Sequence, residues 1–453
     1  MSQWQFNRDA IVAFRFVRSG FDPASGVARL VYAFDDGPEM VETISFPEAP
    51  APRHPQAFAR ALKLLHLIAG VSYFKAAAPP RLAVDSGAPD AATADLLDAV
   101  YVDGLAEFAW RNGLDLRGKG VFPRAPGAAA DAPPVLALGL PRRSLVAIGG
   151  GKDSLVSIEL LRGHGEDMTL AWVGDSPLIA AVAARTGLPT LNIGRTLAPA
   201  LFDYNRQGAW NGHIPVTAIN SAILLLAALL YGFDSVVFSN EHSASAATLE
   251  AEGRVVNHQW SKGIAFERGL AGLVRSTVAA DLDYFSLLRP LSELAVTREF
   301  ARLGQYHQHF SSCNRNFRIL GAKPRERWCG SCPKCHFVFL ALAPFLAKPA
   351  LVAIFGRNLL DDAELAADFD ALIEWQAHKP FECVGEAAES RAALAVLAGR
   401  AEWREDALVR RFATQILPQL PADSLDMAPL LRPAGDHALP SRYQGLFDAL
   451  QRA

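Results

Sequence analysis

Three groups of residues in this chain have the types and spacing to do chemistry. The first is the run "SLVAIGGGKDS" from Ser144 to Ser154, in which a short apolar stretch meets three glycines and then an apolar pattern at helical spacing. Gly149, Gly150 and Gly151 would weaken an ordinary strand or helix, so something must approach this backbone closely. Glycine N–H groups and the helix N-terminus behind them suit an anion such as a phosphate. Asp153 can hold Mg²⁺ against phosphate oxygens, and Ser154 can donate a hydrogen bond. The G-x-x-x-x-G-K-[ST] pattern fails because Asp153 follows Lys152, and G-x-G-x-x-G fails because its last glycine would fall on Ser154. A glycine turn without a ligand is the alternative.

The second group is Cys313, Cys329, Cys332 and Cys335, spaced C-x15-C-x2-C-x2-C. Thiolates two residues apart can share a tetrahedral ion, with further ligands from the next turn and a distant loop, and zinc suits such a set. Four ligands leave no open position, which makes the site structural rather than catalytic. His336 could replace one cysteine; a redox pair or reduced core cysteines are the alternatives. Arg315, Arg318, Lys323, Arg325 and Arg327 lie between the first two cysteines. They form either a solvated loop or a clamp for phosphates or carboxylates, to which arginine's planar fork is suited.

The third group is less regular. Cys383, in "HKPFECVGE", is the only cysteine outside the cluster. A free cysteine is ordinarily a small buried hydrophobe, but a thiolate beside a cation such as Lys379 could act as a base. Ser239, Asn240, Glu241 and His242 follow a strand-like run, which places them where ligands bind in a parallel sheet or makes them a helix cap. His213 reads as a cap or structural group.

These residues need a scaffold. Strand and helix patterns alternate from "LVAIG" to "SVVFSN", which predicts a doubly wound, mostly parallel sheet. Three β-rich runs and two helical patterns precede it, and mostly helical patterns follow Cys335. The expected organisation is therefore an α+β unit over residues 1–135, a nucleotide-binding unit over 136–310, and a cysteine-bearing helical region over 311–453. "GKGVFPRAPGAAADAPP" reads as a linker. At 453 residues, 51% hydrophobic and 20% charged, the chain has the composition of a folded soluble protein. Its net charge of −3 argues against bulk attraction to nucleic acid or an anionic membrane. "AILLLAALLYGF" is too short to span a bilayer and reads as a buried helix. The start, "MSQWQFNRDA", lacks signal-peptide features, so a cytoplasmic location is expected; oligomeric state is left open.

The loop resembles that of the ATP pyrophosphatases, usually S-G-G-x-D-S, with Gly149 standing where that superfamily has serine. "GGGKDS", "SNEHSAS", "WCGSCPKC" and "KPFECVGE", in this order, resemble the ATP-dependent UDP-N-acetylmuramoyl-L-alanyl-L-glutamate epimerases of peptidoglycan precursor synthesis. The cysteine cluster alone is also similar to that of the deazaguanine nitrile synthases. The resemblance implies a fold of the adenine-nucleotide α-hydrolase type and conversion of a terminal L-Glu to D-Glu through an acyl adenylate, with AMP and pyrophosphate released. It implies a UDP-linked dipeptide as substrate, with no nucleic-acid or membrane partner, and ATP and Mg²⁺ as cofactors. Gly149 to Ser154, Ser239 and Asn240 would then bind ATP, with Lys152 neutralising the α-phosphate and Asp153 holding Mg²⁺. Glu241 would assist with metal or substrate, Arg315, Arg318 and Arg325 would bind substrate, and Cys383 and His242 would be candidates for proton transfer. Competing readings are an amidating or thiolating enzyme acting on a nucleobase or tRNA, and a nucleotide-binding module without chemistry.

Overall fold

A computed structural model describes residues 4–125, 135–251, 253–318 and 322–447 of the chain. Most of the expected linker, residues 126–134, lies outside them. The strands are β1 (Ala13–Asp22), β2 (Val27–Phe34), β3 (Met40–Ser45), β4 (Arg81–Val84), β5 (Ser144–Ala147), β6 (Met168–Val173), β7 (Thr190–Thr196), β8 (Ser235–Phe238), β9 (Leu249–Ala251), β10 (Arg254–Val256) and β11 (Asp283–Ser286). Nine of them form one sheet in the order β11-β8-β5-β6-β7-β3-β2-β1-β4, and β9 and β10 pair as a separate hairpin. The block from β11 to β7 is parallel throughout.

Alternation along the strands explains why both faces of this block are covered. Leu145, Ala171 and Val236 point into one core, while their neighbours Val146, Leu170 and Val237 point into another. The first core holds the helices Pro55–Ala69, Val216–Tyr231 and Ile264–Thr277. The second holds Lys152–Gly163, Glu293–Ala301, Pro333–Leu342 and Ala387–Ala398. A strand buried on both faces reads as a continuous apolar run, as β6 and β8 do. After β11 the described elements are helical.

The expected apolar helix after Pro215 is present as Val216–Tyr231 and is buried along most of its length. The apolar segment Pro55–Phe74 is long enough to cross a membrane but is 83% buried inside the protein. The first three strands do not stand apart from the parallel block. β3 pairs antiparallel with β7 through Thr43–Thr196, Ile44–Arg195 and Ser45–Gly194. Beside this seam the fully buried Glu42 accepts from Arg195 Nε at 2.7 Å. Arg195 also donates to Ser72 Oγ at 3.0 Å, while Glu42 Oε2 has no hydrogen-bond partner among the described residues.

Candidate functional site

Parallel pairing of β5, β8 and β11 brings three loops to one edge of the sheet, past the strands' carboxyl ends. The first is the glycine loop. Gly150 has φ +77°, a left-handed conformation that glycine adopts without strain, and Gly151 starts the helix Lys152–Gly163 with no side-chain cap. Its first N–H groups are therefore available to an anion. Ser154 Oγ donates back to the Gly151 carbonyl at 3.2 Å. Two serine hydroxyls at this edge, Ser239 Oγ beyond β8 and Ser312 Oγ against Gly151, are buried with no hydrogen-bond partner among the described residues. Unpartnered buried hydroxyls beside N–H groups that no side chain caps fit a polyanionic ligand. A Cβ on Gly149 would meet nothing within 4 Å, so the missing serine reflects no steric demand of the fold.

Next to the loop lies a buried row of charges. Lys152, 1% exposed, bonds both Asp153 and Glu293, and Glu293 also accepts from Lys334 Nζ at 3.3 Å. Burial opposes the Glu293 charge, but Lys152 and Lys334 outweigh it and hold the carboxyl down at about 2. Glu241 lies beside this row. Burial, reinforced by Glu293 and Asp153, pushes it up to about 7 against the pull of Lys262 and Lys152. Arg289 fixes the backbone here. It is fully buried, donates to Glu267 Oε2 at 2.9 Å and to the Glu241 carbonyl at 2.6 Å, and also bonds the Lys262 carbonyl.

The row continues to Cys383. Lys262 Nζ lies 3.2 Å from its sulfur, and His258 is near enough to favour the thiolate. Burial would raise the thiol, yet Lys262 and His258 outweigh it and bring it down to about 5. The cation expected at Cys383 is thus Lys262, from a distant segment, rather than the sequence neighbour Lys379. His258 Nδ1 lies 2.5 Å from Glu107 Oε2, on the helix Ala106–Arg111 of the N-terminal region. His213 packs against His258 with ring centroids 4.3 Å apart and planes tilted by 40°, and burial with His258 nearby lowers it to about 4. The 2.5 Å contact makes His258 and Glu107 a hydrogen-bonded pair in this structure.

Other expected residues fall as follows. Asn240 Nδ2 donates to Ser286 Oγ at 2.9 Å, tying the β8 and β11 loops together. His242 is exposed on the 3₁₀ turn His242–Ser245. Ser243 Oγ donates to Glu389 Oε2 at 2.8 Å, and Ser245 Oγ accepts from the N–H of Ile264 at 3.1 Å. Cys313, Cys329, Cys332 and Cys335 place all four sulfurs within 4.8 Å of one another and could hold a metal ion. The 3.6 Å between Cys329 and Cys335 and the 3.5 Å between Cys332 and Cys335 suit a shared tetrahedral centre. His336 stays outside it, with Nε2 3.3 Å from the Gly330 carbonyl. Arg315 is tied to Ser331 at 2.8 Å and, with Lys323 and Arg325, lines a basic cleft of about 370 Å³ beside Cys329. Arg318 is exposed and is not part of that lining.

Glu107, His258, Lys262, Arg289, Glu293 and Lys334 escape the sequence reading. Each is a charged residue within a helix or polar loop, a pattern that ordinarily marks a solvated surface, and only burial distinguishes them.

Comparison with known proteins gives two family matches, to the MurL N-terminal domain over residues 5–287 and to the MurL C-terminal domain over residues 309–426. The chain is 63% identical, over 96% of its length and 96% of the relative's, to a UDP-N-acetyl-α-D-muramoyl-L-alanyl-L-glutamate epimerase of Xanthomonas oryzae pv. oryzae (strain MAFF 311018). It is 43% identical to a protein of the same name from Salinispora tropica, over 97% of this chain and 96% of that one. A third, from Micromonospora sp., is 43% identical over 95% and 96%.

Proposed function

The chain belongs to the MurL family of epimerases, and from that premise we propose that it inverts the terminal L-Glu of UDP-N-acetylmuramoyl-L-alanyl-L-glutamate to D-Glu in an ATP-dependent reaction. The observation that carries this reading is the cluster of buried charged groups that lies between the glycine loop and Cys383. One end suits phosphate activation, and the other suits proton removal.

The α-hydrogen beside a free carboxylate is hard to remove, because a second negative charge must develop on the same group. ATP supplies the remedy by converting that carboxylate to an acyl adenylate, which accepts the electron pair more readily. Gly149 to Gly151, Ser154, Ser239 and Asn240 would cradle the phosphates, and Asp153 would hold Mg²⁺. Lys152 would neutralise charge as the phosphates separate. Glu241 would hold metal or substrate at the junction. Cys383 would remove the α-proton as a thiolate, which a thiol held at about 5 already is at neutral pH. Lys262 would sit beside the negative charge that develops. His242, exposed on its turn, is the weaker of the two proton-transfer candidates.

The cysteine cluster would bind a structural Zn²⁺, and Arg315, Arg325 and the exposed Arg318 would meet anionic groups of the substrate. A cleft of about 470 Å³ on the other side of the Glu107 helix, lined by Asp103, Ala106 and Trp110, has room for the sugar-nucleotide end. Such an enzyme would work in the cytoplasm, where the UDP-linked precursors are made.

The test supplies ATP, Mg²⁺ and the UDP-linked dipeptide, then measures pyrophosphate, AMP and, after acid hydrolysis of the dipeptide, the chirality of its glutamate. D-Glu should accumulate only with ATP, and pyrophosphate only with the dipeptide. Pyrophosphate released without inversion, or inversion without ATP, would overturn the reading.

A further inference from the structure

Inversion at carbon requires a proton to leave from one face and another to arrive at the opposite face, so two groups are needed. Cys383 supplies one. The charged groups around it are Lys262, His258, Lys334 and Glu382. Lys262 is a poor proton donor, because Cys383 and Glu241 outweigh its burial and raise it further. His258 is placed differently. Its Nδ1 is engaged by Glu107 Oε2 at 2.5 Å, which leaves Nε2 uncommitted, and Cys383 lies near enough to favour the charged ring. Glu107 Oε1 in turn accepts from Arg111 Nε at 2.7 Å, so the carboxylate is fixed from behind. This is the arrangement in which a buried carboxylate orients an imidazole and stabilises its charged form.

We propose that His258 is the second acid–base residue of the epimerisation, acting on the face opposite Cys383, and that Glu107 is its positioning residue. The inference rests on the epimerase reading above. The α-carbon enters between the sulfur and Nε2, separating the pair. The Cys383 thiolate takes the α-hydrogen as a proton and becomes a thiol, and the C–H electron pair moves into the activated carboxyl group. The His258 imidazolium then delivers its Nε2 proton to the other face of the carbon and becomes neutral. One C–H bond is broken and one formed, with no net oxidation. When product leaves and water enters, the Cys383 thiol gives its proton to solvent and the His258 imidazole takes one from solvent, restoring the ion pair. Burial works against the imidazolium, but Cys383 and Glu107 outweigh it and raise His258 to about 9, so the pair is charged for the L-to-D direction at neutral pH.

The experiment uses the full chain with ATP, Mg²⁺ and the UDP-linked dipeptide in D₂O, following AMP, deuterium at the α-carbon and glutamate chirality. Early in the wild-type reaction the D product should carry one deuterium and the remaining L substrate none. Protium retained in the D product would mean a single base and overturn the proposal, whatever the variants do. His258→Gln should still release AMP, form D-Glu at least ~10²-fold more slowly, and accumulate deuterium in the L residue through Cys383. Cys383→Ala should lose that exchange. Glu107→Gln should move the alkaline limb of D-Glu formation down by about one pH unit while leaving the AMP profile in place, with partial recovery in Glu107→Asp. Inversion by His258→Gln at above about a tenth of the wild-type rate would overturn the proposal. So would loss of both exchange and inversion in a His258→Gln protein that still releases AMP. Absence of AMP and D-Glu in the wild type would instead refute the epimerase reading itself.

Discussion

The backbone N–H of Ser311 donates to the carbonyl of Gly150 at 2.9 Å, which makes the cysteine cluster and the glycine loop parts of one local structure. Ser312 continues the contact, with its Cβ positioned against Gly151. Cys313 follows directly, so a metal held by the four sulfurs would fix this strut. Stripping the protein with a chelator, or making Cys332→Ser, should lower Tm and weaken ATP binding together. Metal content and nucleotide affinity by calorimetry check it; full ATP affinity in metal-free protein would break the link.

The glycines of the loop should respond differently to substitution. Gly149→Ser places a hydroxyl into open space and should fold with unchanged Tm. Gly150→Ala forces φ +77° on a residue with a Cβ, costing about 1–2 kcal/mol, and displaces the carbonyl that Ser311 uses. Thermal unfolding and ATP-dependent pyrophosphate release of the two variants separate these outcomes.

Glu241 and Glu293 should show opposite pH signatures. Glu293 is held at about 2, below the 4.5 of an ordinary glutamate, so its stabilisation is full above pH ~4.5 and is lost as pH falls toward 2. Glu241 is raised to about 7, so ionising it in the interior costs stability that grows from pH ~4.5 to ~7. Glu241→Gln should therefore raise Tm at pH 8, leave it unchanged at pH 4, and reduce turnover. An unchanged Tm at pH 8 would show that Glu241 carries no such cost.

Arg289→Met should leave the buried Glu267 carboxylate without its cation, a loss of about 3–5 kcal/mol in denaturant unfolding. Because Arg289 also holds the Glu241 and Lys262 carbonyls, turnover should fall more steeply than stability. A double variant, Arg289→Met with Glu267→Leu, should regain stability without regaining activity. Recovery of both would reduce Arg289 to a structural pair.

Much of the scaffold is legible from the chain itself. Strand and helix alternate from Ser144 to Phe238 because doubly covered strands must be continuously apolar and their helices amphipathic. The glycine loop and the cysteine spacing are equally local, since a backbone near an anion and thiolates around one ion constrain residues close in sequence. The antiparallel seam between β3 and β7 is not local, because each strand would read the same with another partner.

The sequence by itself determined which residues have the types and spacing suited to phosphate or metal, and singled out Cys383 as the odd cysteine. Only the tertiary structure decided what surrounds that sulfur. Glu107, His258 and Lys262 come from segments whose polarity suggests solvent, and burial at Cys383 turns them into a cluster of interacting charges. The physical reason is one of range. Periodicity and backbone dihedrals are imposed by covalent neighbours, whereas a group's charge state depends on distances and desolvation that exist only once the chain has folded.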